Sequence, residues 1–373
     1  MTYMKTTAAT LSGPHRPWQI VELEVDRPGE HEVLVRWVAS GMCMSDQHLR
    51  HGGVRPRFPI IGGHEGAGYV EEVGVGVTRV GVGDAVVGAF IPSCGRCRWC
   101  ATGKQALCDL GAAIVEGTLP GNRFVFHRDG LDYGAFGGTA TFSHYATVSE
   151  YSLITITDDV PLPSAAIVGC AVPTGWGSAV YAADVAPGDT VVVVGTGGVG
   201  MNAVQGAGFA GAKHVIAVDP VAFKLDVARS LGASHTAGSA QDAFDLVMQL
   251  THGVGADKVI VTVAWIEGDL INQALRMVAK AGTLVITSWA DSEESNLRIS
   301  SVELTAYDRK VVGSLYGSGN PNWDVVRLLD LYRSGDLKLD ELITQTYSLD
   351  EINSAYDDLA AGKNVRGVIL HES

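Results

Sequence analysis

The chain has 373 residues, room for about two domains of roughly 100–200 residues each. Its 46% apolar and 18% charged residues suit a well-buried globular protein and exclude a disordered or fibrous one. A net charge of −14, from 27 basic and 41 acidic side chains, gives no general attraction to nucleic acid or to an anionic membrane.

Residues 1–10 lack a charged stretch leading into a long apolar core, so no signal peptide is expected. No apolar run reaches the ~18 residues of a membrane span, and a cytoplasmic location is expected. Six cysteines in such a chain point to metal or catalysis ahead of disulfides. Residues 1 to about 150 carry short β-like runs punctuated by Gly and Pro, among them 32–38 (EVLVRWV), 67–73 (AGYVEEV) and 85–90 (AVVGAF). These read as small strands joined by loops. The texture changes near Val172. Residues 190–194 (TVVVV) form a continuous apolar run, the mark of a parallel strand buried on both faces. A glycine turn follows, then a helix over 199–210, a strand over 214–218, a helix over 221–231, a strand over 258–263, a helix over 269–279 and a strand over 283–287. This alternation predicts an α/β doubly wound parallel sheet. Beyond Val312, helices are expected over 324–333 and 352–360 and a strand over 365–370. The two flanking pieces, 1–172 and 314–373, are expected to fold together as one discontinuous domain around a central 173–313.

The turn after the first central strand reads Gly195-Thr196-Gly197-Gly198-Val199-Gly200. This is G-x-G-x-x-G in its required setting, with a strand before it and a helix after. Gly195 allows the tight turn, Gly197 lets backbone approach a pyrophosphate, and Gly200 lets helix and strand pack closely. The helix N-terminus offers free N–H groups to phosphate. Asp219 ends the next strand, where an acid accepts adenosine ribose hydroxyls and repels a 2′-phosphate, so NAD(H) is expected over NADP(H). Lys224, one helical turn on, can reach the same ribose or simply be solvated.

Cys94, Cys97, Cys100 and Cys108 form C-x2-C-x2-C-x7-C. Four thiolates within fifteen residues suit a closed tetrahedral zinc site with a structural role. An iron–sulfur cluster also takes four thiolates, but the surrounding Arg96, Arg98 and Lys104 offset the charge of a zinc tetrathiolate and favour zinc. Two cysteines remain, Cys43 and Cys170. Cys43 lies in Gly41-Met42-Cys43-Met44-Ser45-Asp46-Gln47-His48, and a second cluster is Gly63-His64-Glu65. A set of Cys43, His64 and Cys170 would leave one coordination position open, as a catalytic zinc needs. Each of the three alone also reads as an ordinary buried residue.

Taken together, these motifs resemble the zinc-containing medium-chain alcohol dehydrogenases, with similarity running along nearly the whole chain. The resemblance implies a GroES-like β-rich catalytic domain and a Rossmann coenzyme domain. It implies two Zn2+ per chain, the catalytic one on Cys43, His64 and Cys170, with Glu65 beside it. Asp46 then accepts from the His64 ring, Ser45 supplies the hydroxyl of a proton relay and His48 its outlet. Thr174 and Arg366 are implied at the cofactor, Arg366 at its pyrophosphate. The implied reaction moves a hydride between an alcohol or aldehyde and NAD(H). A dimer or tetramer is implied as well.

Residues 90–109, 175–183 and 217–224 resemble a narrower branch, the nicotinoprotein or NDMA-dependent alcohol dehydrogenases. These hold NAD(H) as a prosthetic group, reoxidise it with an external acceptor and are linked with the redox peptide mycofactocin. An ordinary zinc alcohol or thiol-dependent formaldehyde dehydrogenase with exchangeable NAD is the other reading. Met44 departs from the pattern, because relatives often place Arg or His there against the pyrophosphate. Trp37, Phe124, Phe126, Phe136, Trp176 and Trp289 are candidates for either a pocket or the core. Residues 117–138 read as a long loop.

Overall fold

The computed structural model describes residues 3–371 except 267, 289–296 and 298, so Trp289 lies outside the described residues. The chain forms two compact units, Met1–Cys170 with Asn320–Ser373, and Ala171–Gly319. The second boundary falls after Gly319 rather than after Gly313. The turn Tyr316–Ser318 belongs with the central unit because a Cβ on Gly317 would meet Thr174 O at 2.8 Å and Gly177 Cα at 2.9 Å.

The first unit is β-rich. Tyr3–Leu11, Gln19–Asp26, Phe126–Arg128, Leu131–Ala135 and Ile60–Ile61 close into a small barrel, and a seven-stranded sheet is built around Glu32–Gly41. Residues 117–138, expected as a loop, contain the hairpin that closes this barrel. Arg123 fastens the segment, pairing with Asp26 at 2.9 Å and with Glu32. Alternating side chains fill the interior, among them Leu23, Val25, Val35, Trp37 and Phe126. Each such burial contributes about 1.5–3 kcal/mol.

In the second unit, six strands lie parallel in the order His235–Ala237, His214–Val218, Thr190–Val194, Ala256–Val261, Val278–Ile286, Lys310–Gly313. The order runs outward in both directions from Thr190–Val194, whose five residues are all buried. The chain therefore reverses direction beside that strand, and open α/β sheets bind ligands at such a point. The strand His235–Ala237 and the helix Ala240–Leu250 had no counterpart in the sequence reading. Among the described residues, no single helix is long and apolar enough to cross a membrane.

The last strand, Arg366–Leu370, pairs with Glu32–Gly41 and carries the chain into His371. This imidazole is buried, with Nε2 3.0 Å from Thr141 O and 3.0 Å from Ser40 Oγ. Burial pulls its pKa down to about 3. An unfolded histidine titrates near 6.5, so below that pH the unfolded chain binds a proton that the fold refuses. Stability is then lost progressively as pH falls from about 6.5 towards 3, by roughly 3 kcal/mol at about pH 4. His371→Asn is expected to flatten the acid limb of urea-midpoint-against-pH; an unchanged limb would contradict this assignment.

Candidate metal and dinucleotide sites

Cys43 stands where the strand Glu32–Gly41 hands over to the helix Met44–His51, as that helix's N-cap residue with extended backbone. His64 follows Gly63, whose φ of +83° is left-handed. A Cβ on Gly63 would crowd Phe142 Cδ1 at 2.6 Å, so only glycine turns the chain here. Cys170 leaves the short turn Ile167–Gly169. Gly169 packs so closely on the Gly88 carbonyl that a Cβ would overlap it. Three separate stretches thus converge, and single ligand atoms of Cys43, His64, Glu65 and Cys170 all lie within 4.8 Å of one another. All four residues are buried.

The electrostatics of this cluster suit a cation. The Cys43 thiol is held well below its usual range, first by the bond that Cys170 donates and then, against burial, by His64. Cys170 is pushed correspondingly up by Cys43 and by burial. Burial lowers the affinity of His64 for a proton, but Asp46 and Cys43 outweigh it and raise the ring well above 6.5. Asp46 is fully buried. Its Oδ1 accepts from Gly63 N–H at 2.7 Å, and its Oδ2 lies 3.2 Å from His64 Nδ1. Both ring nitrogens of His64 are buried with no hydrogen-bond partner, Nδ1 held only by that charge-pair contact with Asp46. A buried nitrogen without a partner beside two thiols is what a soft or borderline metal satisfies. Glu65 turns its Oε2 onto the Arg366 guanidinium and leaves Oε1 unpartnered. Burial pushes the Glu65 carboxyl up to about 8, with Arg366 pulling the other way. The rings of Phe90 and Phe136 stand nearly perpendicular to the His64 ring at centroid distances of 5.5 and 5.3 Å.

The four remaining cysteines also lie with their sulfurs within 4.8 Å of one another. Cys94–Cys100 and Cys97–Cys108 sulfur pairs are each 4.0 Å apart, far outside disulfide length. A zinc–thiolate tetrahedron has sulfur–sulfur edges of about 3.8 Å, so the set matches that ion with almost no movement. Backbone N–H groups of Cys94, Cys97 and Cys100 donate to Cys108, Cys94 and Cys97 sulfurs at 3.3–3.5 Å. Cys97 is drawn down to about 6, first by the N–H of Asp109, while burial pushes Cys108 up to about 12.

In the central unit, Gly195 has φ +92° with Val263 backbone behind it, and a Cβ on Gly200 would overlap the Gly195 carbonyl. A Cβ on Gly197 would meet nothing within 4 Å, so that face of the turn is open. Gly198 opens the helix Gly198–Phe209, which has no side-chain cap and leaves its first N–H groups for a ligand. Thr196 Oγ1 is buried without a partner, as is Thr174 Oγ1 on the helix Ala171–Gly177. Asp219 sits just past His214–Val218. Its two oxygens accept from Thr196 N–H and Val221 N–H, each at 2.9 Å, and each keeps a further lone pair for a hydroxyl donor. Lys224 lies half-buried in the first turn of the helix Ala222–Ser230.

Residues 29–158 match the alcohol dehydrogenase GroES-like domain and residues 198–332 the zinc-binding dehydrogenase domain. The NDMA-dependent alcohol dehydrogenase of Amycolatopsis methanolica is 52% identical over 99% of this chain and 100% of its own. The chain belongs to the zinc-containing medium-chain alcohol dehydrogenases. Benzyl alcohol dehydrogenase from Acinetobacter calcoaceticus is 28% identical with a TM-score of 0.92, covering 99% of this chain and 100% of its own. A zinc-binding-domain alcohol dehydrogenase from Burkholderia ambifaria gives 28% and 0.93, covering 100% of each.

This alcohol dehydrogenase brings its sequence-read residues together unevenly. Ser45 Oγ lies 3.5 Å from Cys43 Sγ. His48, expected as an outlet to solvent, is only 4% exposed. Arg366, implied at a pyrophosphate, is engaged by Glu65. Met44 begins the helix of Ser45 and Asp46, half-buried. Of the aromatic candidates, Trp37, Phe126 and Trp176 are core, Phe124 lies under the Arg57 guanidinium, and Phe136 reaches the His64 ring. Sequence reading missed the Glu65–Arg366 pair and Tyr356, whose hydroxyl comes to the Cys43 carbonyl. Both contacts join residues far apart in the chain, and no local pattern announces them.

Replacing Cys97 with Ala tests the four-cysteine set. The variant is expected to hold one metal fewer per chain by elemental analysis and to melt lower. An unchanged metal count would remove the four-thiolate assignment.

Proposed function

We propose that this chain is a nicotinoprotein alcohol dehydrogenase that oxidises a primary alcohol, or reduces the aldehyde, using an NAD(H) that stays bound between turnovers. The observation that carries the chemistry is the convergence of Cys43, His64 and Cys170 around the unpartnered His64 Nε2. These three residues would hold one zinc and leave a fourth position for substrate, while Cys94, Cys97, Cys100 and Cys108 would hold a second, closed zinc. Retention of the cofactor is supported by the 52% identity to an NDMA-dependent enzyme.

When bound, zinc supplies a Lewis acid for the alcohol oxygen and NAD+ accepts the hydride. The chain's own residues prepare both. With zinc bound, Asp46 would hold the remaining ring proton on His64 Nδ1 and leave the Nε2 lone pair to the metal. Ser45 Oγ, beside Cys43, takes the substrate hydroxyl proton. Ser45 and His48 are three apart on one helix and share a face, so the His48 imidazole is the next acceptor for the proton that Ser45 passes on. Phe90 and Phe136 make the approach to His64 apolar, which favours an aliphatic or aromatic alcohol. Gly195, Gly197, Gly198, Val199 and Gly200 cradle the pyrophosphate, Asp219 and Lys224 take the ribose, and Thr174 lies in the helix that begins this unit. A redox peptide such as mycofactocin fits as acceptor, and the enzyme is read as a homodimer or homotetramer.

The test is an assay of benzyl alcohol or a short primary alcohol with either added NAD+ or a nitroso-aniline acceptor. Turnover with the acceptor and almost none with NAD+ is expected. The reverse result would select the ordinary, cofactor-exchanging enzyme.

A further inference from the structure

Tyr356 is fully buried, 0% exposed, on the helix Ile352–Ala360. Its ring stacks on Trp18 with centroids 5.8 Å apart and planes 26° apart, and meets Phe142 at 6.2 Å. The helix is pinned one turn earlier. Asn353 Oδ1 accepts from Trp18 N–H at 2.9 Å, and its Nδ2 donates to Trp18 O at 3.0 Å. Residues 353 and 356 share a face, so this clamp sets where the phenol points. The same aromatic cluster backs the ligand loop: Trp18 and Phe142 press on Gly62, where a Cβ would meet Trp18 Cζ3 at 2.6 Å and Phe142 Cδ2 at 2.9 Å.

A phenylalanine would fill this cavity as well as a tyrosine. A buried hydroxyl costs free energy unless it is bonded, so the oxygen must find a polar partner here. It donates to the Cys43 carbonyl at 3.4 Å, which also accepts from Asp46 N–H at 3.2 Å.

We propose that Tyr356 is a positioning residue for the Cys43–His64–Cys170 centre, its hydroxyl fixing the main-chain turn that aims the Cys43 thiol. The inference rests on the reading of that centre as a zinc site. It gives the last helix of the chain a part in metal retention, and groups that orient metal ligands commonly change metal affinity about 10–100-fold.

The experiment compares wild type and Tyr356→Phe as purified holoenzymes. EDTA draws out metal while cysteine alkylation, mapped by peptide mass spectrometry, assigns each loss to Cys43 and Cys170 or to Cys94, Cys97, Cys100 and Cys108. About tenfold faster loss at Cys43 and Cys170 is expected, with the four-cysteine metal leaving at the wild-type rate and an unchanged melting temperature. Equal rates at Cys43 in both proteins overturn the proposal. So does faster loss at both sites with a lowered melting temperature, because that is the mark of ring packing alone. A wild type holding metal only on its four clustered cysteines overturns the zinc reading of the centre, and this inference with it.

Discussion

Cys43→Ala is expected to abolish alcohol oxidation while leaving NAD(H) on the protein. The substitution removes one of only two thiols in the buried cluster and leaves His64 and Cys170 as a two-ligand remnant. Zinc catalysis supplies several kcal/mol of transition-state stabilisation. At about 1.36 kcal/mol per factor of ten, its loss is on the order of a thousandfold or more in kcat. The dinucleotide turn is built from Thr190–Val194, Gly198–Phe209 and Asp219, all within Ala171–Gly319, and none of these residues is altered. Metal content is expected to fall by one per chain. The readouts are kcat, elemental analysis and bound cofactor on the same sample. A variant retaining substantial activity would remove Cys43 from the centre.

The second large effect is expected from Gly200→Val. A side chain at this position would overlap the Gly195 carbonyl and meet Thr262 Oγ1 at 2.7 Å. The carbonyl is backbone within the turn and cannot step aside without opening it. Thr262 is itself tied to that turn, donating to Gly195 O at 2.6 Å. Overpacking of this kind costs typically about 1–3 kcal/mol, and the strain falls on the N–H groups that face the pyrophosphate. Cofactor content should drop from near one per chain to near zero, with both metals retained. Gly208, on the same helix, has nothing within 4 Å of its Cβ position. Gly208→Ala is therefore the matched control, expected to keep its cofactor and gain up to about 1 kcal/mol from helix propensity. Equal cofactor loss in both variants would show that the helix, not the turn, is being read.

These two positions illustrate how unevenly sequence reports structure. The run at 190–194 was legible because burial on both faces requires an unbroken apolar string, and the structure buries all five residues. The glycine turn was legible because close backbone approach admits no other residue type. The cysteines were legible by type: six in one chain fall into a spaced set of four and a distant pair. Shorter or mixed signals failed. His235–Ala237 is three residues long, too short for a periodic pattern. The helix Ala240–Leu250 sets Ala243, Phe244, Val247 and Leu250 at helical spacing against the sheet core, but Gln241, Asp242 and Asp245 break up any continuous apolar run. The segment 117–138 looked like loop because Gly and Asp punctuate it, yet its hairpin is held by barrel closure and by Arg123. Trp37, Phe126 and Trp176 were equally good candidates for pocket and core, since hydrophobicity alone does not separate the two. The contacts that tune the centre were not readable: Arg366 on Glu65 spans 301 residues and Tyr356 on Cys43 spans 313.

Cofactor retention is the claim that gives this enzyme its character, and protein purified with no added cofactor tests it most directly. The protein is denatured, the polypeptide removed, and released NAD(H) measured by absorbance and chromatography. Close to one NAD(H) per chain is expected. Protein that releases none, yet oxidises alcohols when NAD+ is supplied, would contradict it.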